Sequence, residues 1–238
     1  MVDRDTAPFY FTQPLATSFK LHEDAAFTSG IRRMYHEHIK WIDKQNWNDQ
    51  SSYLEKLAML MSEVWEVYSK PLDTVDDVEL YHGRTLEFAD IILRTFSMID
   101  VLKRDTDGEF NIESVLMADT VIDNRFESLA SLNEGFFIED WLFCLYNKIA
   151  SMVNGFRSYT LDANTMDLNA SLNQIIYMSL MCITILGRIR ENIELLRNDY
   201  EPSSDLTEAI SVKDRETCLG CILVKVALNS RKTSLRDK

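Results

Sequence analysis

Apolar residues recur at three- and four-residue spacing along most of this chain, the period that places them on one side of an α-helix. The pattern predicts helices over about 28–44, 52–69, 84–102 and 112–130, and again over about 138–156, 168–196 and 214–228. Polar stretches separate them, among them DTVDDVE at 73–79, KRDTDGEFN at 103–111 and NDYEPSSD at 198–205. Ser51 or Ser52 is placed to cap the second helix, and Pro71 lies just beyond its end. Residues 1–27, with Pro8 and Pro14, read as an irregular lead-in. No run of alternating β-branched residues marks a strand. Seven glycines and four prolines in 238 residues agree with long helices and short connections. The fold class expected is all-α, a helical bundle.

The chain divides into a helical half over 28–130 and a second over 131–238. LEFADIILRTFSMI in the first compares with LNQIIYMSLMCITI in the second. A degenerate tandem repeat would give this likeness, and so would two independent packings of long apolar helices.

Two helices of the first half carry acidic pairs in otherwise apolar surroundings. MSEVWEVYSK at 61–70 holds Glu63 and Glu66 three residues apart, beside a stripe formed by Leu54, Leu57, Leu60, Met61, Val64 and Tyr68. Glu87 and Asp90 repeat the spacing on the next helix, opposite Phe88, Ile92, Phe96 and Ile99. A solvated helix face explains either pair alone. Two helices packed antiparallel would bring all four carboxylates together, where they repel unless cations compensate them. Oxygen-only ligands suit a hard ion, Mg²⁺ or Mn²⁺, with water and substrate phosphates completing the shell.

The net charge of −13 and pI of about 4.8 oppose nucleic-acid binding. The one basic cluster, RKTSLRDK at 231–238, reads as a solvated tail. No apolar run is long enough to span a membrane, the start of the chain lacks a signal-peptide layout, and a reducing cytoplasm is expected. Cys144 and Cys182 sit in apolar helical runs, and Cys218 with Cys221 makes a single CxxC, better read as helix packing than as a zinc site. His36 and His38 are two apart on a helix and point away from each other. Trp41 and Trp47 suit either a core anchor or a base-stacking surface. His82, Gly83 and Arg84 precede the second acidic helix, as a phosphate contact or simply as a helix-leading loop. Neither a P-loop nor a nucleophile elbow is present.

E63-V-W-E66 followed by E87-F-A-D90 resembles the metal site of the MazG-like all-α nucleoside triphosphate pyrophosphohydrolases. HIKWIDKQNWND at 38–49 resembles the helix and Trp-containing turn that open that domain, and the likeness covers about residues 30–105. It implies cleavage of a nucleoside triphosphate between the α and β phosphates, with Glu63, Glu66, Glu87 and Asp90 holding Mg²⁺ and Glu63 or Glu66 taking a proton from water. An all-α dUTP or dCTP pyrophosphatase is the nearest variant, and a non-catalytic nucleotide- or partner-binding protein of that fold is the alternative. The family's phosphate-contacting cluster finds Asn124 and Arg125 in ADTVIDNRF, with Asp119 where a lysine would suit. KVALNSRK fits it better through Lys225, Asn229, Arg231 and Lys232, although a basic helix end has its own electrostatic reason. On that assignment the second half folds back onto the first half's site. Where acidic pairs should recur, the second half shows FCLYNKIASM and LNQIIYM, with neither ExxE nor ExxD, so one site per chain follows. Relatives of this kind assemble as dimers or tetramers, which makes a homodimer the expected state.

Overall fold

The computed structural model describes residues 25–45, 51–69, 84–118, 138–162, 168–180, 182–183, 219–227 and 229. Every regular element among them is an α-helix, so the fold is all-α. The complete helices are α1 (Ala25–Asp43), α2 (Tyr53–Ser69), α3 (Arg84–Asp105), α4 (Ile112–Met117) and α5 (Ile138–Asp162). Residues 168–180, 182–183, 219–227 and 229 are also helical. None of the described helices is long and apolar enough to cross a membrane.

The helix ends follow from local chemistry. Ser52 begins α2: its hydroxyl accepts from the Glu55 amide, while the Glu55 carboxylate accepts from the Ser52 amide at 2.7 Å. Those bonds hold the Glu55 carboxyl below the usual carboxylate range. α3 runs three residues past its expected end, and Asp107 (φ 50°) and Gly108 (φ 89°) then turn the chain. Asn111 caps α4 by accepting from the Ser114 amide.

α4 is shorter than the sequence pattern indicates. It ends at Met117, with Ala118 extended, where the expected helix reached 130. Asn173 donates from Nδ2 to the carbonyls of Val115 at 2.7 Å and Leu116 at 3.3 Å. These are terminal carbonyls that a continuing helix would have satisfied itself. Residues 119–130, and with them Asp119, Asn124 and Arg125, lie outside the described residues.

α3 is the central element, buried on nearly every side. α2 runs antiparallel to it, since Glu63 meets Arg94 while Ser51 accepts through its carbonyl from Arg104. α1 crosses it through Tyr35, whose ring stands edge-on to Phe96 at 5.6 Å. α5 covers α2, with Tyr53 stacked on Phe156 at 4.2 Å and its hydroxyl donating to the Met152 carbonyl. Residues 219–227 approach α1 at Gly30, where a Cβ would stand 2.7 Å from a methyl of Leu219. One continuous apolar core joins all of these elements.

The buried side of α2 differs from the expected stripe. Tyr53, Leu57, Leu60, Val64 and Val67 face the core together with Lys56 and Glu63. Leu54 and Tyr68 are exposed instead, in a row with Trp65, and Met61 lies between the two environments. The helix is therefore turned so that Glu63 points inward.

Candidate metal centre

Glu63 is only 3% exposed, held inside by the apolar residues on either side of it on α2. Its Oε1 accepts from Arg94 Nε at 2.8 Å. Its Oε2 is sealed from solvent with no hydrogen-bond partner among the described residues. Burial, reinforced by Asp90, pushes its pKa up to about 7, although Arg94 acts in the opposite direction.

Glu87 and Asp90 are buried in the first turns of α3. Single carboxylate oxygens of Glu63, Glu66 and Glu87 lie within 4.8 Å of one another, with Glu66 on the exposed side. Ligands of an octahedral Mg²⁺ stand about 3 Å apart when adjacent and about 4.2 Å when opposite, so the trio would have to draw closer to share one ion. Three carboxylates with no nitrogen or sulfur donor form a set for Mg²⁺, Mn²⁺ or Ca²⁺. The residues present therefore fit a hard divalent cation.

Asp90 stands outside that trio. Its Oδ2 lies 3.2 Å from Lys225 Nζ, and its Oδ1 accepts from Asn229 Nδ2 at 3.1 Å. Lys225 also reaches Glu87 Oε2 at 3.1 Å. Burial works against the charge of Lys225, yet Asp90 and Glu87 outweigh it and hold the pKa above the usual lysine value. Two residues from near the end of the chain thus stand on the second acidic pair.

The other candidate residues distribute as follows. Arg84 is buried one turn before Glu87. Trp41 is half-buried with its ring 5.8 Å from that of His38. Trp47, Arg231, Lys232, His82, Gly83 and Cys218 lie outside the described residues, and Cys221 is buried. His36 is exposed and His38 buried, so they face apart.

Sequence reasoning overlooked Arg94 and passed over His38 as anything beyond a metal ligand. Arg94 follows Asp90 by four residues and Glu87 by seven, a spacing that puts all three on one side of α3. His38 Nε2 lies 3.0 Å from Ser97 Oγ. The serine oxygen also lies 3.2 Å from the Leu93 carbonyl, and His38 Nδ1 is buried with no hydrogen-bond partner among the described residues. Burial, then Arg94, lowers the His38 pKa to about 3, and the ring is neutral.

Comparison of the chain with protein-family models, curated proteins and solved structures finds no match.

Proposed function

We propose that this protein is a Mg²⁺-dependent nucleotide pyrophosphohydrolase that cleaves a (deoxy)nucleoside triphosphate between its α and β phosphates, releasing a monophosphate and pyrophosphate. The observation that carries the reading is Glu63: a buried carboxylate with one unpartnered oxygen, set against Glu66 and Glu87. Such a group is costly unless it is neutralised or binds a cation. The MazG-like motif resemblance supplies the reaction class, with Mn²⁺ as an alternative ion.

In this reading Glu63, Glu66, Glu87 and Asp90 hold the cation. The bound ion would neutralise phosphate charge and lower the pKa of a water. Glu63 or Glu66 accepts the proton as that water's oxygen bonds to phosphorus and the bridging oxygen leaves with the other phosphate fragment. Lys225, Asn229, Arg231 and Arg84 are the phosphate contacts, and Trp41 and Trp47 the surfaces for the base. The second half acts as a structural partner derived from a repeat, and the substrate pool is cytoplasmic.

Pyrophosphate release from a panel of nucleoside triphosphates, with Mg²⁺ and with EDTA, tests this directly. The expected result is metal-dependent release, lost by a hundredfold or more in Glu63→Gln. The alternative, a non-catalytic nucleotide-binding protein, draws support from Arg94 and Lys225, which already stand on the carboxylates as ion pairs. Nucleotide binding with no pyrophosphate release from any substrate would establish it.

A homodimer completes the reading. Trp65 (67% exposed) and Tyr68 (56%) on α2 continue the row of Leu54, while Phe143 (67%), Tyr146 (45%) and Val153 form a second row on the adjoining α5. Rings of this size bury about 150–250 Å² each when covered, so the four leave roughly 450 Å² uncovered. That is over half of the about 800 Å² per partner in a standard interface, a size that suits a second copy. Light scattering should give twice the chain mass, falling to one in Trp65→Glu with the helical content unchanged.

A further inference from the structure

Lys225 makes a bidentate bridge that a second metal ion would otherwise make. Its Nζ stands 3.1 Å from Glu87 Oε2 and 3.2 Å from Asp90 Oδ2, and Asn229 holds the remaining Asp90 oxygen. We infer that the site loads its cations in order: one divalent ion at Glu63, Glu66 and Glu87 in the free protein, and a second between Glu87 and Asp90 only when a nucleotide triphosphate draws Lys225 away.

This rests on the function proposed above and deepens it. An ion bridging Glu87 and Asp90 would lie where the ammonium now lies, and two positive charges cannot share that position. The lysine is a compact charge on four rotatable methylenes, so it can move while the helix carrying it stays in place. A polyphosphate is the ligand suited to draw it off, since it offers several anionic oxygens to one ammonium. Nucleoside triphosphates also arrive chelated to a divalent ion. The exchange leaves neither anion without a cation: the ammonium passes to a phosphate, and the nucleotide's own divalent ion takes its place on the carboxylates. Arg94 stands on Glu63 Oε1 and leaves Oε2 for the first ion, while Glu87 is shared between the two positions.

The test counts Mn²⁺ bound to the full chain by equilibrium dialysis, without nucleotide and with a non-hydrolysable α,β-methylene triphosphate. The wild type should bind one Mn²⁺ per chain alone and two with the analogue. Asp90→Asn should keep the first and lose the second. Lys225→Met should bind the second ion without nucleotide, at least tenfold more tightly than the wild type does. Two ions bound by the wild type without nucleotide would overturn the ordering, as would a single ion in the presence of bound analogue. If Lys225→Met fails to fold, the wild-type comparison decides alone. Absence of Mn²⁺ under every condition would instead overturn the metal-centre reading on which the ordering rests.

Discussion

For Glu63, burial and the neighbouring Asp90 favour the protonated form, and Arg94 opposes them. The folded protein holds a proton on this group between about pH 4.5 and 7 that the unfolded chain has already released. Metal-free stability contributed by Glu63 therefore falls as pH rises through that window. A divalent ion reverses the preference, because it binds only the carboxylate. Glu63→Gln should raise the melting temperature of the metal-free protein at pH 8 by roughly 3–6 °C, for about 1–2 kcal/mol. On the proposed metal-centre reading, Mg²⁺ should stabilise the wild type and not Glu63→Gln. Calorimetry with and without the ion measures both. His38 titrates with the opposite sense. Below about pH 6.5 the unfolded chain takes up a proton that the folded imidazole, facing Arg94 and Lys56 as well as Asp90, refuses down to about 3. Stability from this residue is thus lost as pH falls through that window, and His38→Gln should narrow the gap between melting temperatures at pH 7 and pH 5. The inward position of Glu63 could not be read from its neighbours, because Leu54 and Tyr68 are as apolar as the residues that are buried.

At the level of elements, spacing alone located α1, α2 and α3 to within three residues of their ends and found the start of α5, which runs six residues past its expected end. Helix periodicity is a local property, and it survives whatever packs against it. The end of α4 was not legible for the complementary reason: it is met by Asn173, 58 residues away from Val115. Asn173→Ala should cost about 1–3 kcal/mol, the penalty for stranding buried carbonyls. Hydrogen exchange should quicken in α4 more than in α2. An equal loss of protection in both helices would mean that Asn173 serves the whole core and has no special tie to α4.

Across the whole molecule, residues 219–227 reach the acidic pair because α1 has no side chain at Gly30 to hold them off. Gly30→Val should displace Leu219 and destabilise the protein by about 1–3 kcal/mol, as overpacking does. Shortening the opposing residue in Gly30→Val/Leu219→Ala should recover a good part of that loss, and a double-mutant cycle on denaturation midpoints measures the coupling. Glu63, Glu66 and Glu87 could be singled out from the sequence because acidic pairs three apart lie within one helix turn, whereas the separation of Asp90 from that trio could not. Motif likeness suggested Lys225 and Asn229 as phosphate contacts, and their pairing with Glu87 and Asp90 was not legible, since contacts between such distant residues leave no periodic signature.

Lys225 and Glu87 are 138 residues apart in the chain. During synthesis, α2 and α3 therefore emerge long before the lysine that stands on their second acidic pair. Until residue 225 appears, Glu87 and Asp90 lack the counter-charge of Lys225. The bridge between Lys225 and the second acidic pair therefore closes only after residue 225 has been made.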